Sequence, residues 1–188
     1  MRYAPMARAR RAAVGLLMST LGAILGLPAP AAAAPCALVF GHGRNASAGD
    51  AAANELWNGV NLRFNAQVAA SLQAAGQAVQ PLVLSVTATD LGANARALLF
   101  EASRQGCNRV VETTVFADAA AQTLVARLRV YPLLAQGAAT LRIGEPVYTN
   151  QRDFEFTETT LERIRPAVLG DEMAREYLAQ RGSMDAEP

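Results

Sequence analysis

The chain has 188 residues, 52% of them hydrophobic, with 17 basic residues, 16 acidic ones and a single histidine. That near-balance leaves no electrostatic footprint for nucleic acid. Every basic residue is arginine, which reads as the coding bias of a GC-rich genome and carries no functional weight by itself.

The chain opens with Arg2, Arg8, Arg10 and Arg11, continues as an apolar run from Ala12 to Leu27, and reaches Ala32-Ala33-Ala34 through small residues. A basic start, an apolar middle and an Ala-x-Ala site make residues 1–34 a secretory signal peptide with cleavage after Ala34. The run is shorter than the roughly 20 residues of a spanning helix, so no transmembrane segment is expected once the leader is removed. Four arginines leave with it, and the remaining 154 residues carry a charge of −3. Residues 35–182 are the length of one α/β domain, with 183–188 a polar, frayed tail. The expected location is the periplasm or the medium.

Cys36 and Cys107 both survive cleavage. In an oxidising compartment two cysteines are most simply a disulfide, which in the chain-entropy picture contributes about 4 kcal/mol. The alternative is a lipid on Cys36, but Ala33-Ala34-Pro35 is not a lipoprotein cleavage box and a lipid would orphan Cys107.

The mature chain then alternates. Ala37–Phe40 is a short buried strand, and Ala51–Ala75 a helix with Asp50 as N-cap and Gly76 just past its end. Val79–Val86 is a second strand with Pro81 near its start, and Leu91–Gln105 a second helix between Asp90 and Gly106. From there the apolar period becomes two. Asn108–Ala117, Thr123–Tyr131 and Pro146–Thr157 read as a meander, with a Gly/Ala-rich connection between the last two. Thr159-x-x-Glu162 resembles a capping box, Pro166 kinks or ends that helix, and Asp171–Gln180 is helical again. The fold class is α/β, a mixed five-stranded sheet in the order β-α-β-α-β-β-β-α with helices packed on it. Right-handed crossovers place the first strand beside the third, which brings Cys36 and Cys107 to one end of the sheet.

Three groups of residues are candidates for function. The first is the loop "GHGRN", where His42, Arg44 and Asn45 follow a strand and precede a helix. It offers a general base, an anion cradle at a helix start, or a tight exit from a strand, for which the glycines suffice. No nucleophile elbow, P-loop or zinc spacing accompanies it, so no catalytic residue, metal or cofactor is assigned.

The second is an asparagine ladder on the first helix, Asn54, Asn58, Asn61 and Asn65, flanking an apolar stripe that includes Trp57. At ~100° per residue the four fall within one arc, and asparagine is a poor helix former. They read either as a polar contact strip for a partner, with Trp57, or as a solvated boundary. Alanine at Asn58 and Asn61 is expected to leave stability unchanged or higher under both. The third group is Arg127 and Arg129 on the meander's solvent face, either ion-paired with Asp153 or Glu155 across the sheet or forming a docking surface.

Gly106-Cys107-Asn108 leading into Arg109–Phe116, Gly144–Tyr148 leading into Thr149–Phe156, and the loop Gly43–Gly49 resemble the domain shared by the CsgG curli secretion protein, the amino-terminal part of TolB and penicillin-binding-protein activator lipoproteins. Ile143 stands where that pattern has Thr, and Tyr148 where it has Trp. The resemblance implies a non-enzymatic domain that docks to an envelope protein, such as an outer-membrane or peptidoglycan-associated one. The expectation is therefore an exported accessory module without catalysis. The alternative is a small periplasmic hydrolase or anion-binding protein using His42 and Arg44.

Overall fold

The computed structural model describes residues 36–136, 140–157 and 159–184. The expected leader, residues 1–34, and the last four residues lie outside them. Ten elements follow in chain order: β1 (Cys36–His42), α1 (Ala51–Ala74), β2 (Val79–Leu84), α2 (Leu91–Gln105), β3 (Cys107–Asp118), β4 (Thr123–Gln136), β5 (Thr140–Ile143), β6 (Tyr148–Glu155), the single turn α3 (Thr160–Arg163) and α4 (Pro166–Met184). The α/β class and the mixed sheet are as the sequence implies. The strand order is β2-β1-β3-β4, with β5 and β6 both paired to the far edge of β4. The first two pairings are parallel and the rest antiparallel.

The sheet has a sixth strand that the sequence hides. β4 does not stop at Tyr131 but runs on to Gln136, and the stretch expected as a connection returns as β5. Pro132 conceals this, because it reads as a strand breaker. Its missing N–H falls at the junction where β4 changes partner, from β6 up to Val130 to β5 from Leu133. Pro166 also acts differently from expectation, since it opens α4 as a first-turn residue. Thr159 makes no side-chain cap, and the side chain of Glu162 lies outside the described residues.

Two helices cover one face of the sheet. Val60, Phe64, Val68 and Leu72 of α1 and Leu169, Met173 and Tyr177 of α4 pack on Val39, Val111, Val115 and the even-numbered residues Leu124 to Val130 of β4. Alternate β6 side chains reach α4, where Arg152 pairs with Glu172 and Glu176. On the opposite face α2 lies against β1, β2, β3 and β5, with Leu98 and Ala102 on Leu38, Phe40, Val110 and Leu133. Asp90 caps α2 through Ala93 N, and Gly106 closes it at φ 68°.

Cys36 and Cys107 are register partners in β1 and β3 and form the disulfide. Both sulfurs are thereby consumed, which leaves Cys36 no thiol for a lipid. Among the described residues no helix is long and apolar enough to cross a membrane.

Candidate functional site

β1 pairs with β3 only as far as Gly41 opposite Thr113. Beyond that point β3 continues to Asp118, so the peptide groups of Val115 and Ala117 on the β1 side have lost their strand neighbour. Buried or half-buried, they need other partners. Side-chain amides supply them. Asn61 accepts from Val115 N at 2.8 Å and donates to Val115 O at 3.0 Å. Asn45 does the same for Ala117 at 2.8 and 2.9 Å. Each asparagine stands in for one residue of a missing strand.

The rest of the ladder also bonds within the chain, although Asn65 Oδ1 is buried without a partner among the described residues. Asn58 accepts from Val86 N, Asn54 bonds both backbone groups of Ser47, and Asn65 donates to Val39 O and to Thr113 Oγ1. Asn61 and Asn65 are 2% and 0% exposed, and Trp57 is buried against Phe156. Asn61, Asn65 and Trp57 are therefore closed to a partner and to solvent, while half-buried Asn54 and Asn58 bond the backbone of Ser47 and Val86. Period alone places these residues on one arc, but that arc faces inward over the end of β1. The glycines of the loop serve the same purpose: a Cβ on Gly43 would sit 2.1 Å from Val86 Cγ1, and one on Gly41 3.0 Å from Asn65 Nδ2.

His42 turns to the other face. Its Nε2 lies 2.8 Å from Glu112 Oε1. Arg129 Nε donates to Glu112 Oε2 at 2.6 Å, and Tyr131 OH donates to the same oxygen at 3.1 Å. Antiparallel register sets Arg129 directly opposite Glu112, whereas Thr149 and Gln151 of β6 stand opposite Arg129 and Arg127. The ion pair thus forms with β3, not with Asp153 or Glu155. Burial pushes the Glu112 carboxyl up, but hydrogen bonds from His42 and Arg129 and their charges outweigh it and hold it at about 2. An ionised carboxylate only accepts, so the His42 Nε2–H donates. Burial and the Glu112 charge raise Tyr131 to about 12.

Next to this network the Phe116 ring of β3 lies against two guanidiniums. Arg44, in the loop after β1, is 4.9 Å from the ring centroid, and Arg127 of β4 is 5.4 Å. Burial, together with the charges of Arg129 and Arg44, lowers the pKa of Arg127. Its Nε and Nη2 are buried and have no hydrogen-bond partner among the described residues. An open cleft of about 280 Å³ adjoins this cluster, lined by Phe40, Leu91, Leu98, Ile143 and Glu112 among others. A second of about 400 Å³ lies across His42, against Gly43, Arg44 and Val86.

His42 and Arg44 of the loop therefore reach the cluster, Asn45 is spent on β3, and Arg127 and Arg129 join from β4. Glu112, Phe116 and Tyr131 were not singled out in the sequence. The signal for Glu112 is its place as the lone charge in the apolar run Val110–Phe116. Among the described residues no three His, Cys, Asp or Glu converge as a metal set.

No family model and no curated protein matches the chain. Among solved structures it is similar to lipoprotein GNA1162 from Neisseria meningitidis, at 17% identity over 79% of this chain and 96% of that one, with a TM-score of 0.37. That likeness is too slight to transfer anything from one protein to the other.

Proposed function

We propose that the chain is an exported accessory module of the bacterial envelope that acts by docking, without catalysis, through the half of the sheet face that α2 leaves open. The observation that carries this reading is the guanidinium of Arg127, buried at Nε and Nη2 without a partner and set beside two further arginines. Cations desolvated without a counter-charge cost free energy, and Arg44, exposed on the open face beside Arg127, is where a partner's anion offsets that cost. The disulfide and the leader-like start of the sequence support export. The resemblance of the β3 and β6 segments to envelope docking domains supports the same role.

Photo-crosslinkers placed at Arg44 and Gln151, both exposed on the open face, and at Leu62 on the outer side of α1 test the reading in the producing cell. The expected result is an adduct with one discrete envelope protein from the first two positions and none from the third. Adducts from Leu62 alone, or from no position, would remove it.

The hydrolase alternative is favoured by one observation, the carboxylate that orients His42. In the structure Glu112 is also held by Arg129 and Tyr131, an arrangement suited to fixing a surface. Turnover of simple esters or phosphoesters that disappears in both His42→Ala and Glu112→Gln would establish this reading instead.

A further inference from the structure

Each residue of β3 on the open face has a cross-strand neighbour in β4, and two successive pairs differ. Glu112 stands opposite Arg129, and Thr114 opposite Arg127. In the first pair the carboxylate accepts from the guanidinium at 2.6 Å. In the second, the Thr114 hydroxyl donates to His42 O at 2.7 Å and brings no charge. Among the described residues the ion pairs of this face both end on Glu112, and neither Arg44 nor Arg127 belongs to one. The cluster holds three guanidiniums against one carboxylate, which leaves Arg44 and Arg127 without a counter-charge among the described residues.

We infer that Arg44, exposed and with the charge of Arg127 behind it, receives the carboxylate of an acidic side chain carried by a partner polypeptide. This rests on the docking reading above and names the chemistry of the partner. Three features favour a carboxylate on a polypeptide. Glu112 on Arg129 is a working precedent on the same surface. Both guanidiniums lie over the Phe116 ring, a contact that restrains them and leaves less order to impose on binding. The adjoining cleft is mostly apolar, and Leu91 and Ile143 at its border are 77% and 36% exposed, so the surface asks for an apolar side chain a short distance from the acidic one. A chain with alternating acidic and apolar residues presents both.

The probe is a capped decapeptide alternating Glu and Leu, set against the same peptide with Gln for Glu and against inorganic phosphate, added to the exported protein with its arginine Nε–Hε groups followed by NMR. The Glu peptide is expected to shift the Arg127 and Arg44 signals saturably, and Arg127→Leu to weaken it by roughly tenfold or more. Arg152→Leu, which removes an arginine already bound to α4 on the opposite face, is expected to change nothing in the titration. Arg44→Leu, at an exposed loop position, is the second variant should Arg127→Leu fold poorly, and it too is expected to weaken the peptide. The inference falls if the Gln peptide acts as well as the Glu peptide, if phosphate saturates the same signals at equal or lower concentration, or if the foldable arginine variant binds like wild type. Crosslinks from residue 44 that persist while the peptide fails would leave the docking reading standing and remove only the carboxylate.

Discussion

The two faces of the sheet treat polar groups in opposite ways. Under α1 the amides of Asn61 and Asn65 are as buried as the valines around them, yet Asn61 uses both its donor and its acceptor on the end of β3. On the side of α2 the guanidinium of Arg127 is only half covered and still lacks hydrogen-bond partners at two nitrogens. The first region is finished by its own chain except at Asn65 Oδ1, a neutral acceptor buried without a partner among the described residues, whereas the second leaves a charged guanidinium short of acceptors at two nitrogens. Polarity in a helix is therefore no sign of a surface, and a desolvated charge left without a counter-charge marks a binding site better than exposure does.

The largest effect should come from breaking the finished side. Asn61→Ala strips Val115 of both backbone partners in a site closed to water, and the loss is expected to be about 3 to 4 kcal/mol in denaturant unfolding. This reverses the expectation drawn from the sequence, that alanine there would leave stability unchanged or raise it. A midpoint equal to wild type would mean that β3 finds another partner when the amide is gone.

On the open face Glu112 is the finished counterpart of Arg127, the carboxylate that among the described residues pairs with the arginine cluster. Its folded pKa of about 2 lies below its ordinary value of 4.5, so the stability it contributes is full above pH 4.5 and is lost as pH falls through 2. Linkage gives this about 3 kcal/mol. Glu112→Gln should lower stability by a similar amount at neutral pH and flatten the stability profile between those two values. A variant that keeps the wild-type acid profile would show that other carboxylates set it.

Asn45→Ala is expected to cost less than Asn61→Ala, about 1 to 2 kcal/mol, although both amides bond a strand residue twice. Asn45 is only partly buried, so water can replace it at Ala117. Amide exchange separates them: the Ala117 N–H should gain in exchange rate far more than the global loss explains, and uniform change across the sheet would contradict this.

These sites show where the sequence was legible. Strand order, the caps of α1 and α2 and the disulfide follow from period, capping residues and right-handed crossovers, all of which act locally or through topology. The role of the asparagines did not follow, because it depends on β1 ending before β3, a difference in strand length that no residue announces. β5 was concealed by Pro132, whose lost donor matters only if β4 keeps one partner throughout. The open cluster was half legible: His42, Arg44, Arg127 and Arg129 were each noticed, but only the β3 to β4 register sets Glu112 against one arginine and Thr114 against the next.

The smallest expected effect has the opposite sign from the others. Removing Arg127 takes away a cation that is desolvated, repelled by Arg44 and Arg129, and without acceptors at Nε and Nη2. Its stacking on Phe116 favours the folded state by an amount of similar size, so the two largely cancel. Arg127→Leu keeps apolar contact with the ring and ends the repulsion, and should leave the protein equally stable or about 1 kcal/mol more so. Arg129→Leu is the matched control, because it leaves Glu112 short of its strongest partner and should destabilise by about 2 kcal/mol or more. If both arginines proved equally costly to remove, Arg127 would be as well satisfied as its neighbour and the contrast between the two faces would disappear. A gain at Arg127 with a loss at Arg129 would mark the position where the fold gives up stability for a group it does not itself contain.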